Sequence, residues 1–154
     1  MTARPPIPNP PYTGGCLCGA VRYEVRGPLR DILICHCVEC RRWHGNVAAS
    51  TAAARGDLVL TGQRGLRWIA SPQSDAHARR GFCGECGSGL FWDAPGRDYL
   101  AIAAGSLDGD TGLRVAGHWF TSQKGDWYEL PDDGLPHHER SAAAEGGGSS
   151  GKVV

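Results

Sequence analysis

Seven cysteines gathered into three tight groups constrain this chain more than any other feature: Cys16 and Cys18, then Cys35, Cys37 and Cys40, then Cys83 and Cys86. Each group has the spacing of a metal-ligand set. In a C-x-C pair on an extended segment both side chains lie on one face, because strand residues alternate, so both sulfurs reach one ion. Cys16/Cys18 and Cys35/Cys37 qualify. In a C-x-x-C pair the chain turns back, and glycine inside or just after the turn takes positive φ without steric cost. Cys83-Gly84-Glu85-Cys86-Gly87 has glycine at both places. The run Cys35-His36-Cys37-Val38-Glu39-Cys40 combines the two devices, so three sulfurs share an ion with almost no loop to close. The outer pairs are left to complete each other as a four-cysteine site joining Cys18 to Cys83. A partition of Cys16 and Cys18 with Cys37 and Cys40 stays open, although it separates Cys35 from the neighbours best placed to share its metal.

The first twelve residues carry proline where a signal peptide needs an apolar run, and no stretch approaches the roughly 20 apolar residues of a membrane helix. The expectation is an unexported, cytoplasmic protein. In that reducing compartment close cysteine spacing means metal or redox chemistry more often than disulfides, and the odd count agrees. Neither C-x-x-C has the βαβ setting of a dithiol oxidoreductase, and tetrahedral thiolate sites favour zinc, with iron the alternative. Sixteen basic and sixteen acidic side chains cancel, so no net field draws the chain to nucleic acid or an anionic membrane.

Three thiolates on Zn²⁺ leave a fourth position free, and an open position separates a reactive zinc from a structural one. His36, Glu39 and His44 are close enough in sequence to fill it. His36 is expected to point away from its flanking cysteines and Glu39 outward, which leaves His44 as the credible internal ligand, with water or an exogenous thiol preferred. Arg41 and Arg42 follow Cys40 directly; their charge lowers thiol pKa values and suits a carboxylate-bearing ligand, so both are candidate substrate-binding residues. Five tryptophans are assigned mainly to core packing.

Val21, Tyr23 and Val25 alternate with Arg22, Glu24 and Arg26, the period of a half-buried strand over Ala20 to Arg26. Further strands are expected over Val47 to Thr51, Asp57 to Leu60, Leu66 to Ala70, Gly89 to Trp92, Tyr99 to Ala104 and Gly117 to Thr121. Twenty-three glycines and ten prolines favour many short strands with tight turns. The expected fold is all-β, several small twisted antiparallel sheets clamped by zinc, with minor helix. Residues 1–13 read as a proline-rich lead-in, 14–138 as one zinc-binding domain, and 139–154 as a flexible Gly/Ser-rich tail.

Three segments together resemble the glutathione-dependent formaldehyde-activating enzyme family, which also includes centromere protein V: Gly14-Gly15-Cys16-Leu17-Cys18-Gly19-Ala20-Val21, Cys35-His36-Cys37-Val38-Glu39-Cys40-Arg41, and Gly81-Phe82-Cys83-Gly84-Glu85-Cys86-Gly87-Ser88. The likeness continues through Ala104-Gly105-Ser106-Leu107-Asp108, His118-Trp119-Phe120 and Trp127-Tyr128-Glu129 to Asp133-Gly134-Leu135-Pro136. It implies a β-rich fold similar to that of a small zinc-binding guanine-nucleotide exchange protein. It implies two zinc ions, a structural one on Cys16, Cys18, Cys83 and Cys86 and a catalytic one on Cys35, Cys37 and Cys40. The implied activity is carbon–sulfur lyase chemistry on glutathione, or another small thiol, and an aldehyde such as formaldehyde. A non-catalytic zinc-binding module for a protein partner is the alternative.

Overall fold

A computed structural model describes residues 10–74 and 76–140. The lead-in up to residue 9, residue 75 and the tail from residue 141 lie outside the described residues. In chain order the elements are β1 Tyr12–Gly15, β2 Val21–Val25, β3 Ile32–Cys35, α1 Val38–His44, β4 Ala48–Ala54, β5 Leu58–Gln63 and β6 Leu66–Ala70. Then follow β7 Arg79–Cys83, β8 Gly89–Asp93, β9 Tyr99–Ala103 and β10 Val115–Trp119, with two single-turn 3-10 helices between strands and a third after β10. The protein is mostly β, as its glycine- and proline-rich composition implies. The described residues divide into two compact units, one of residues 10–31 with Thr51–Arg114, the other of Ile32–Ser50 with residues 115–140.

In the first unit β2 pairs antiparallel with β1 and with β5. Its alternation is the one read in the sequence: Val21, Tyr23 and Val25 are buried, while Arg22 and Glu24 are half-buried. Burying one face of a strand in this way stabilises by roughly 1.5–3 kcal/mol per large apolar side chain. Strands β6, β7, β8 and β9 form consecutive antiparallel pairs. The core of this unit gathers Val21, Tyr23, Leu90, Phe91 and Ile102 around Cys16 and Cys83. Tyr23 keeps its hydroxyl satisfied on Ser106 Oγ at 2.6 Å, so its burial leaves no polar atom unpaired.

In the second unit β3 pairs antiparallel with the start of β4 and parallel with β10. The parallel pair departs from the all-antiparallel expectation. A parallel partner requires a long crossover, and here the strands meet only after the chain has left for the first unit and returned.

Four elements escaped the sequence reading for local reasons. Strand β1 ends in two glycines, residues depleted in strands, and begins inside the proline-rich lead-in. The four apolar or thiol residues of β3 have no alternation, and the two arginines opening β7 hide its strand character. Helix α1 starts at an unusual cap: Cys37 Sγ accepts from Cys40 N at 3.4 Å, where Ser, Thr or Asp is the usual signal. Its other end follows rule, with Arg41, Arg42 and His44 in the last turn and Gly45 at φ 87° closing it.

Candidate metal centres

Cys16, Cys18, Cys83 and Cys86 place their four sulfurs within 4.8 Å of one another in the first unit. Cys16 and Cys18 reach this point from the turn that follows β1, not from an extended segment as the C-x-C reading expects. Cys83 ends β7, and the chain then reverses: Gly87 N donates to Cys83 O at 2.7 Å, with Gly87 at φ 81°. Only glycine takes that conformation without strain, which explains its place after the second cysteine. Ser88 ties the two halves together, accepting from Leu17 N at 3.0 Å and lying 3.2 Å from Cys86 Sγ.

The donor set fits a tetrahedral thiolate-bound ion. Zn–S bonds of about 2.3 Å put sulfurs about 3.8 Å apart in a tetrahedron; Cys16 to Cys18 measures 3.6 Å and Cys18 to Cys83 measures 3.8 Å. Electrostatics point the same way. Hydrogen bonds from the Ser88 hydroxyl and backbone bring Cys86 down to about 5. Cys18, although a backbone hydrogen bond from Ala20 favours its thiolate, is pushed up to about 12 by desolvation and by the Cys16, Cys86 and Cys83 sulfurs. Thiols this close ionise at each other's expense, and a dication removes the conflict.

Cys35, Cys37 and Cys40 form a second group within 4.8 Å in the other unit. Cys35 ends β3 between Ala48 of β4 and Trp119 of β10. Cys37 caps α1 and Cys40 lies in its first turn, so the knuckle read as a turn is the opening of a helix, whose i, i+3 spacing sets both sulfurs on one face. Cys35 and Cys40 are buried. Hydrogen bonding to Cys37 and Cys40, together with burial, holds the Cys35 thiol well above its ordinary value, so this group too suits a cation. Phe120, packed against the trio, sits at φ 56°, a left-handed conformation that is rare for a bulky side chain and concentrates at functional sites.

The second group contains three sulfurs, and no His, Asp or Glu among the described residues joins it. His44, the internal ligand weighed from sequence, is exposed at the end of α1 and is not in the group, nor is Glu39. His36 is fully buried and turned elsewhere: its backbone N donates to Trp119 O at 2.9 Å and its Nε2 lies 3.0 Å from His118 Nδ1. Burial, then His118, His137 and Lys124, push His36 down to about 4, so it is neutral at neutral pH. Arg42 is exposed and Arg41 half-buried. Arg41 Nε is buried with no hydrogen-bond partner, as is Trp119 Nε1. A further group, His118, Asp133 and His137, was not singled out in the sequence as a site; its members lie 15 and 4 residues apart with no short-range motif to mark them.

Fold and site together define a small β-rich protein built on two thiol clusters, of four and of three sulfurs, that could each hold a metal ion. The family model described as glutathione-dependent formaldehyde-activating enzyme matches residues 11–123, and the chain belongs to that family. An uncharacterised lyase of Schizosaccharomyces pombe is 26% identical over 83 residues; the match spans 54% of this chain and 58% of that relative's length. The crystal structure of a Rhodobacter sphaeroides protein is similar at a TM-score of 0.51 and 28% identity, over 67% of this chain and 97% of that one. No helix among the described residues is long and apolar enough to cross a membrane.

Proposed function

We propose that residues 14 to 138 act as a zinc-dependent enzyme of carbon–sulfur lyase type, with structural zinc on Cys16, Cys18, Cys83 and Cys86 and the reactive centre at Cys35, Cys37 and Cys40. The substrates are glutathione, or another small thiol, and an aldehyde, with S-(hydroxymethyl)glutathione from formaldehyde as the named product. The observation that carries this reading is the three-sulfur group itself, which no His, Cys, Asp or Glu joins as a fourth donor among the described residues. Family membership and the lyase-named relative support it.

A zinc ion held by Cys35, Cys37 and Cys40 would supply Lewis acidity and favour the ionised form of a substrate thiol. The chain's own part is to hold the reactants. Arg41 and Arg42 follow the trio on α1 and suit the two carboxylates of the tripeptide. The unpartnered Arg41 Nε has a donor to give, and a buried donor left unmatched costs about 1–3 kcal/mol until an acceptor arrives. Helix α1 is anchored at its start by Gln123 Oε1, which accepts from Val38 N at 2.9 Å. In the addition the substrate sulfur bonds to the carbonyl carbon, the C=O π pair moves onto oxygen, and the thiol proton ends there as a hydroxyl.

Titration calorimetry of the two-zinc protein with glutathione tests the proposal. Binding that weakens in Arg41→Ala and disappears in Cys37→Ser supports it. Absence of heat up to millimolar glutathione sinks it and favours a zinc-binding protein-interaction module.

A further inference from the structure

We propose that His118, Asp133 and His137 form a third metal site, of two imidazoles and one carboxylate, for a divalent first-row transition ion. The inference is independent of the reaction at the cysteines. The three donor atoms lie within 4.8 Å of one another. His118 Nε2 is 2.9 Å from Asp133 Oδ2, and His137 Nε2 is 3.8 Å from Asp133 Oδ1. Ligands at about 2.0–2.1 Å around a tetrahedral ion stand about 3.3 Å apart, so the two separations bracket the value a metal imposes. As hydrogen bonding alone the group is incomplete, since 3.8 Å is too long for His137 to reach the carboxylate. One carboxylate facing two imidazoles, each with a ring nitrogen turned toward it, is a ligand set.

The backbone builds this arrangement. The segment after Asp133 runs beside β10: His118 N donates to Pro136 O and His138 N donates to His118 O, both at 2.8 Å, and His118 and His137 are bridge partners. Neighbouring segments thus hold the two rings edge to face, 4.9 Å between centroids. Asp133 is fixed from the other side, because its Oδ1 accepts from Leu135 N at 3.0 Å across a turn with Gly134 at φ 72°.

The ring behind His118 completes the case. Histidine ligands to metals donate their other ring N–H to an acceptor, which sets the tautomer. His118 is 3% exposed, and its Nδ1 lies 3.0 Å from His36 Nε2. With the metal on His118 Nε2, the proton stays on Nδ1 and is donated to His36. Asp133 and His137 are exposed, so the ion keeps positions open to solvent or ligand. Imidazole and carboxylate donors suit Zn²⁺, Co²⁺, Ni²⁺ or Fe²⁺ rather than a soft ion such as Cu⁺.

The test adds Co²⁺ to the full-length protein with zinc already on its cysteines, and follows metal content and visible absorption. One further equivalent of Co²⁺ per chain is expected, with d–d bands and no thiolate-to-cobalt charge-transfer band. His137→Ala and Asp133→Asn, both at exposed positions, should weaken that equivalent more than about tenfold, while both zinc ions and the circular dichroism spectrum stay as in the parent. A parent that takes up no third ion overturns the proposal. So does a His137→Ala protein that binds Co²⁺ like the parent, or cobalt whose spectrum carries the thiolate band.

Discussion

Gly65 backs directly onto Cys83: a Cβ at Gly65 would stand 2.7 Å from the Cys83 sulfur and 3.3 Å from Ala20 Cβ. The contact is held from both sides, because Gly65 O also accepts from Gly84 N at 2.7 Å. The cysteine side chain is short and committed to the four-sulfur group, so it has little room to retreat. Gly65→Ala is expected to destabilise the protein by about 1–3 kcal/mol, the usual cost of overpacking, and to loosen the metal. Thermal melting and metal release to a chelator measure both. An alanine variant that melts with the parent and holds its metal equally well refutes the steric argument.

Cys86→Ser addresses the same cluster through its chemistry. The four sulfurs join the turn after β1 to the end of β7, 65 residues apart from Cys18 to Cys83. Structural zinc is worth roughly 10–16 kcal/mol in small domains, comparable to the whole net stability of a typical domain. The variant is expected to unfold or aggregate on expression. A soluble Cys86→Ser protein that has lost one zinc yet melts within a few degrees of the parent contradicts the structural role.

Cys37→Ser is expected to behave in the opposite way. Its three sulfurs crowd into six residues, so their crosslink restricts the unfolded chain far less than the long Cys18 to Cys83 span. Serine also caps helices well, so the start of α1 survives the exchange. One zinc should be lost, the β-sheet circular dichroism retained, and glutathione binding reduced to background. The reactive assignment fails if the one-zinc variant binds glutathione as the parent does.

Asp93 governs an acid-dependent part of stability. Its buried carboxylate accepts from Arg55 at 2.7 Å and from Arg79 at 2.8 and 3.0 Å. Burial opposes ionisation, but the hydrogen bonds from Arg55 and then Arg79 outweigh it and hold the pKa below the ordinary carboxyl value. A group depressed on folding stabilises above its unfolded pKa and loses that contribution as pH falls through its folded one. Both arginines are about half exposed, which limits the expected loss in Asp93→Asn to about 1–2 kcal/mol at neutral pH. Denaturant melts at several pH values are expected to show the gap between parent and variant closing below about pH 4. A gap that stays constant down to pH 2 rules this linkage out.

By itself the sequence determined what depends on short spacing. The three local groups of sulfurs were legible because C-x-C and C-x-x-C fix relative positions within a few residues, whereas the joining of Cys16 and Cys18 with Cys83 and Cys86 was left to the fold. Even where the local geometry differed, with Cys16 and Cys18 on a turn and Cys37 capping a helix, the sulfurs still converged as the spacing required. The alternation of β2 was equally plain, since one buried face of a strand writes itself into every second residue.

Tertiary structure decided what depends on distant partners. The uniform run of β3 became a strand because β4 and β10 flank it, and the arginines of β7 became strand residues because Trp68 and Asp93 receive Arg79. The His36, His118, Asp133 and His137 cluster spans about a hundred residues with no repeat or motif. It exists because β10 returns to lie parallel to β3 and the segment after Asp133 follows β10. Side chains this far apart in sequence meet only when backbone pairing brings their strands together, and that pairing is a property of the folded chain rather than of any short stretch of it.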